Sequence, residues 1–241
     1  SATELPEIVH HGFSIMVHDR EQLRLLKALR TDKKLDVFLK FNTGMNRLGF
    51  PAGDADTVIA QLHAMPCVGK VVLTTHFADA DDVSGVDRQM REFKTRVARP
   101  GYARSLANSA ALLRFPDTRG DWVRPGLMLY GASPLEDAGA LKLGLKPVMT
   151  LTSEIIALQQ LKPGDTVGYG GQFLADRGMR VGVVACGYAD GYPRHVYNGA
   201  PVVIEGVRAP IAGRVSMDML CVDLTGVPHA KVGSRAVLWG E

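Results

Sequence analysis

Along the first 145 residues, short β-branched and apolar runs alternate with longer segments whose apolar positions recur every three or four residues. Ser14–His18 reads as a strand, followed by Asp19 as an N-cap candidate and by Leu23, Leu26 and Leu29 on one helical face. Leu35–Phe41 is a second strand, and beyond a glycine-containing loop Ala55–Leu62 has helical period. Val68–Thr75 is a third strand, and Val86–Arg99 is a charged amphipathic helix closed by Pro100. Tyr102–Asn108 and Trp122–Tyr130 carry weaker strand patterns. Five strands separated by helices predict a parallel α/β layer. The pattern changes after Leu145, where Met149–Leu158, Gly178–Ala185, Ala200–Ile204, Arg208–Ala212, Met219–Leu224 and Arg235–Trp239 are short strands punctuated by Gly and Pro. These predict an antiparallel β domain, giving domains over residues 1–145 and 146–241.

Composition narrows the class. The 241 residues are 46% hydrophobic and 22% charged, long enough to bury a substantial core and too apolar for disorder. The net charge of +3 is interspersed, with no run of Lys or Arg longer than two, so neither nucleic acid nor a membrane is an expected partner. Cys67, Cys186 and Cys221 are odd in number, far apart and in apolar contexts, which predicts buried free thiols in a reducing, cytoplasmic setting. No apolar stretch approaches the roughly 18 residues that span a bilayer. The first residues have no signal-peptide character and no initiator Met.

Parallel strands flanked by helices present functional groups at their C-terminal ends, in open sheets and barrels alike. Here those ends carry Lys40, with Arg47 in the loop beyond, then His76, Asn108 with Ser109, and Arg124. Each has an ordinary structural reading: a hydrogen-bonded histidine, a solvated arginine, and Ser109 as N-cap of a helix over Ala110–Leu113. Taken together they describe a cationic strand-end pocket suited to a phosphorylated ligand.

Six segments then carry a resemblance to the alanine racemases, in order and at similar spacing. They are Lys40-Phe-Asn-Thr-Gly-Met-Asn-Arg-Leu-Gly49, Thr75-His-Phe-Ala78, Ala107-Asn-Ser-Ala110, Arg124-Pro-Gly-Leu127 with Tyr130-Gly131, Gly187-Tyr-Ala-Asp-Gly-Tyr192 and Gly213-Arg-Val-Ser-Met-Asp218. The resemblance covers essentially the whole chain. It implies a (β/α)8 TIM-type barrel, about five of whose strands are present, followed by an antiparallel β domain. It also implies pyridoxal 5'-phosphate as cofactor, no metal, and a homodimer whose sites combine both subunits. The implied activity is an isomerase interconverting L- and D-alanine, a peptidoglycan precursor, through an aldimine and two-base proton transfer. Tyr188 matches the base that is donated across the dimer. Arg124 matches the arginine facing the pyridine nitrogen, and His76 the residue that hydrogen-bonds it. Asn108 and Ser109, with the backbone at Gly126 and Leu127, match the cofactor and phosphate cradle. Arg47 matches the residue near the cofactor oxygen and the substrate carboxylate, while Met217 and Asp218 match the wall of the substrate pocket that the partner subunit supplies, with the Met217 N–H toward the carboxylate. Lys40 matches a lysine that is carbamylated in many relatives.

Two elements of the family pattern are missing. None of the ten lysines lies in a Lys-Ala-Asn-Ala-Tyr-Gly-like segment, so the Schiff-base lysine is not in this chain. The C-terminal segment that brings another tyrosine to the phosphate is also absent. The resemblance thus implies an internal fragment, with an incomplete barrel over 1–145, a β domain incomplete at its end over 146–241, and no activity on its own. Two alternatives stand beside this reading. One is another pyridoxal-phosphate barrel enzyme, a broad-specificity racemase or decarboxylase with Lys40 as the Schiff-base lysine. The other is a non-catalytic pyridoxal-phosphate carrier.

Overall fold

The computed structural model describes residues 1–83 and 85–240, in two compact units, Ser1–Lys146 and Pro147–Glu241. The first unit opens with α1 (Leu5–His11), a helix the hydrophobic pattern did not predict; Pro6 sits in its first turn and Gly12, at φ 66°, ends it. There follow β1 (Ile15–Val17), α2 (Arg20–Ala28), β2 (Leu35–Asn42), β3 (Phe50–Pro51), α3 (Ala55–His63), β4 (Val68–Thr74), α4 (Asp87–Glu92), β5 (Ala103–Ser105) and α5 (Ser109–Arg114). Asp19 caps α2 by accepting the Gln22 N–H at 2.9 Å, and α4 runs on through a π-type turn over Phe93–Val97 to end before Pro100.

The sheet order is β1-β2-β4-β5, every pair parallel, with β3 alongside β2. β2 and β4 read as nearly continuous apolar runs because helices cover the sheet: Leu39, Phe41 and Leu73 are fully buried with Leu26, Leu62 and Phe93 from the helical segments. Register does the rest. Lys40 pairs with Thr74, and Thr74 with Ser105, so a buried polar residue from each of three strands lies side by side at one end of the sheet.

The expected strand over Trp122–Tyr130 is corrected. Trp122 makes a single parallel bridge to Ser105, and the Arg124 N–H reaches the Ala107 carbonyl at 2.9 Å. Pro125 then offers no N–H to continue the ladder, and Leu127–Tyr130 coils into a 3-10 turn.

The second unit contains β6 (Leu151–Leu161), β7 (Thr166–Val167), β8 (Phe173–Leu174), β9 (Met179–Val184), β10 (Pro201–Ile204), β11 (Val207–Pro210), β12 (Leu220–Asp223) and β13 (Arg235–Trp239). Six of these form an antiparallel sheet in the order β11-β10-β13-β6-β9-β12, while β7 and β8 pair separately. Ile211, just past β11, bridges Val222 in β12, so the two ends of that order meet and the sheet curls around its own core. Ile155, Val184, Ile204, Ile211 and Val222 fill the interior. The β10–β11 hairpin turns on Glu205 and Gly206, at φ 47° and 81°, the two left-handed positions of a tight two-residue turn.

Candidate active site

Arg124 organises the strand-end site of the first unit. Held by the bridge at Trp122, its guanidinium donates from Nη1 to Ser105 Oγ at 2.6 Å and from Nη2 to the Thr75 carbonyl at 2.6 Å. Nη2 also lies 3.2 Å from His76 Nδ1. A guanidinium has no acceptor, so Nδ1 must accept this bond and the imidazole proton sits on Nε2. A planar group bonded along two edges has its orientation set by the strands and presents its remaining N–H groups as donors.

The local field is strongly positive. Burial depresses the Lys40 ammonium, and Arg47 and Arg124 depress it further. Lys40 is only 7% exposed, and among the described residues no carboxylate lies within ion-pair distance of it. His76 is pushed from 6.5 down to about 4, first by burial and then by Arg124, Lys40 and Arg47. Because the unfolded chain takes up this proton near pH 6.5 and the folded chain resists it, the stability owed to neutral His76 is full above pH 6.5 and is lost as pH falls through about 4. Urea denaturation between about pH 7 and pH 4 is expected to show a smaller drop in midpoint for His76→Asn than for the parent chain. Parallel curves for the two would contradict a protonation-resistant His76.

Ser109, Gly126 and Leu127 line the same cavity, of about 330 Å³, as His76, Asn108 and Arg124. Here the structure corrects one assignment: the N-cap of α5 is Asn108, whose Oδ1 accepts the Ala111 N–H at 3.0 Å. Ser109 is the first helical residue, and its hydroxyl turns away to accept the Gly126 and Met128 N–H groups at 2.7 and 3.4 Å. Asn108 is thus occupied by the helix, with Nδ2 donating to the Phe77 carbonyl, whereas Ser109 and the Gly126 amide form a polar cluster at the cavity wall. Arg47 is exposed in the loop after β2.

Tyr188, Met217 and Asp218 belong to the second unit. Tyr188–Asp190 is a 3-10 turn after Gly187, closed by the Asp190 carboxylate accepting the Gly187 N–H at 2.9 Å. The turn docks on the 216–217 backbone: the Tyr188 N–H donates to the Ser216 carbonyl at 3.0 Å and the Ala189 N–H to the Met217 carbonyl at 2.8 Å. So close is this approach that a Cβ at Gly187 would sit 2.3 Å from the Met217 oxygen, which makes glycine obligatory there. Tyr188 is 40% exposed, with the Arg194 guanidinium 5.3 Å from its ring centroid. It lines a cavity of about 330 Å³ with Tyr169, Arg194, Arg214 and Met217. The Met217 N–H makes no hydrogen bond among the described residues, and Asp218 is exposed.

Several site partners escaped the sequence reading. Ser105 and Thr75 hold Arg124, and their signal was a polar residue at the end of a buried strand, Ser105 closing β5 and Thr75 directly following β4. Arg194 follows the Gly187–Tyr192 segment by two residues but has no spacing that marks it.

The comparisons agree with one another. The model of the alanine racemase N-terminal domain matches residues 1–134, and that of the C-terminal domain matches residues 148–241. The alanine racemase of Thiobacillus denitrificans is 56% identical over 226 residues, covering 94% of this chain and 62% of that protein. That of Nitrosomonas eutropha is 52% identical and covers 100% of this chain and 68% of the relative. Among solved structures, the biosynthetic alanine racemase from Pseudomonas aeruginosa superimposes with a TM-score of 0.93 at 42% identity, over 100% of this chain and 68% of that one. The chain therefore spans about two thirds of the length of the relatives it matches.

Proposed function

Because this chain belongs to the alanine racemase family, we propose that it supplies most of the pyridoxal-phosphate site of an enzyme that interconverts L- and D-alanine. The observation that carries this reading is Arg124, a donor-only cation fixed by Ser105, Thr75 and His76 on the wall of the cavity that also holds Ser109 and Gly126.

The residues present fit the two ends of this cofactor. A phosphate needs donors, which the Ser109 hydroxyl proton and the Leu127 N–H offer beside the Gly126 N–H that the Ser109 oxygen already accepts, and a pyridine nitrogen needs a donor that cannot protonate it. When bound to an amino acid, pyridoxal phosphate withdraws electrons and acidifies the Cα–H. Arg124 would donate to the ring nitrogen and leave it neutral, which limits charge delocalisation and favours prompt return of the proton. Neutral His76 accepts from Arg124 and keeps the guanidinium aimed. Arg47 would bind the substrate carboxylate, and the Met217 N–H of a second copy would meet it from the other side, with that copy's Met217 and Asp218 walling the pocket. Tyr188 would hold and return the proton at Cα from one face, in the site of a second copy of this chain. Lys40 is the one lysine in the C-terminal half of a first-unit strand. Its depressed basicity and the lack of an anionic partner among the described residues suit addition of CO2 to the free amine with loss of a proton, giving a carbamate that would pair with Arg47.

The test is to titrate the chain with pyridoxal phosphate and follow its phosphorus resonance. The chain is then co-expressed with the portion of a relative that it does not span, and racemisation of L-alanine is followed by chiral chromatography. Saturable binding and cofactor-dependent racemisation are expected. Binding that Ser109→Val leaves intact, or turnover without the cofactor, would overturn the reading.

A further inference from the structure

Past Thr75, whose N–H still reaches the Ser105 carbonyl at 3.3 Å, His76–Ala78 has no strand beside it among the described residues, yet it must hold an imidazole against Arg124. The Phe77 carbonyl accepts from Asn108 Nδ2, and the His76 carbonyl and Ala78 N–H are satisfied from α4. Gln89, 1% exposed, donates from Nε2 to the His76 carbonyl at 2.9 Å and accepts the Ala78 N–H on Oε1 at 2.8 Å. One side-chain amide thus does for this segment what a neighbouring strand does for the residues before it. The second Nε2 proton goes to Thr43 Oγ1 at 3.2 Å. Thr43 and Thr75 hydroxyls are 2.7 Å apart, and the Thr75 hydroxyl donates to the Phe41 carbonyl at 3.0 Å.

Donor and acceptor roles in this chain admit one solution. Thr75 gives its proton to Phe41, so Thr43 must give its proton to Thr75 and accept from Gln89. Reversing the amide would set its NH2 against the Ala78 N–H and its oxygen against the His76 carbonyl, two repulsive contacts, so the orientation of Gln89 is determined. The network joins two segments: Phe41, near the end of β2, and Thr43, in the loop that leads to Arg47, on one side, and Thr75, His76 and Ala78, which follow β4, on the other. Thr75 is also the residue whose carbonyl receives Arg124. We propose that Gln89 is a positioning residue of the active site, clamping the Lys40–Arg47 loop and the His76 segment in the one arrangement in which Arg124 is fully bonded. Gln89 itself lies among charged helical residues, Asp87-Arg-Gln-Met-Arg-Glu92, and is not among the hydrogen-bond partners of the Arg124 guanidinium.

Gln89→Met keeps the volume and removes every hydrogen bond. Measured on this chain by hydrogen exchange, the Ala78 amide is expected to exchange at least about tenfold faster, while amides within β2 and β4 keep their protection. In the same sample the His76 imidazole, which faces Arg124, Lys40 and Arg47 and shares its cavity with Asp81, is expected to titrate closer to its ordinary 6.5. Thr43→Val should move both readouts in the same direction by less, and Thr43→Ser, which keeps the hydroxyl, should restore them. Should Gln89→Met fail to fold, the Thr43 pair decides the matter. Unchanged Ala78 exchange and His76 titration in Gln89→Met, or in Thr43→Val where Gln89→Met is unfolded, overturns the inference. The inference rests on the proposed function for the ligand that Arg124 and His76 serve. These readouts need no cofactor, so their failure is distinct from a failure to bind pyridoxal phosphate.

Discussion

Arg124→Leu is expected to abolish measurable pyridoxal-phosphate binding and to destabilise the first unit by about 2–4 kcal/mol, since each polar group left without a partner costs roughly 1–3 kcal/mol. The groups concerned are Ser105 Oγ, the Thr75 carbonyl and His76 Nδ1. Water can reach a half-buried site, which keeps the total below the simple sum. Removing the guanidinium also removes one of the three cations that depress His76. Arg124→Lys should recover part of the stability and little of the binding, because an ammonium is a point donor and cannot satisfy Ser105 and Thr75 from two edges while facing a ligand. Urea denaturation and cofactor titration read these outcomes separately. A leucine variant that binds pyridoxal phosphate like the parent would remove Arg124 from the site.

Tyr188→Phe is expected to separate chemistry from folding in the opposite way. Among the described residues the Tyr188 hydroxyl makes no side-chain hydrogen bond, and the turn that carries it is held by backbone bonds to Ser216 and Met217. The phenylalanine ring keeps the Arg194 contact, so the denaturation midpoint should stay where it was. A lost acid–base group costs roughly 10²–10⁴ in rate, and racemisation by the active form of the protein should fall by that order. The loss should be accompanied by unequal α-deuterium isotope effects for L- and D-alanine, because only one face has lost its base. Equal isotope effects with a modest loss of rate would assign Tyr188 to the pocket wall.

Much of this architecture was legible from the chain. The alternation of apolar runs with helical period located β1, β2, β4 and the sheet of the second unit, because burying a strand on one or both faces constrains residue type at every position. Where burial is slight the pattern says little: α1 buries no residue, and β3, β7 and β8 are two residues long. Trp122–Tyr130 misled because its apolar residues suit a strand while Pro125 withdraws the donor a ladder needs. In the same way Ser109 was the better cap by position, but Asn108 reached the Ala111 amide first and left the serine hydroxyl free for Gly126.

By itself the sequence determined two things about this protein: the alternating and then all-β order of its elements, and the short segments around Lys40, His76, Ser109, Arg124, Tyr188 and Met217 that place it in its family. Both are local, since periodicity and motif are properties of neighbouring residues. The tertiary structure alone decided who holds whom. The register that sets Lys40, Thr74 and Ser105 in a row, the acceptors that Ser105, Thr75, His76 and the Leu106 carbonyl set around Arg124, the closeness of Gly187 to Met217 and the reach of Gln89 to Thr43, 46 positions away, are not written in any segment. Hydrogen bonds between distant residues depend on ångström-scale placement of strands that packing fixes, and a buried donor finds its acceptor only after the chain has brought the two together.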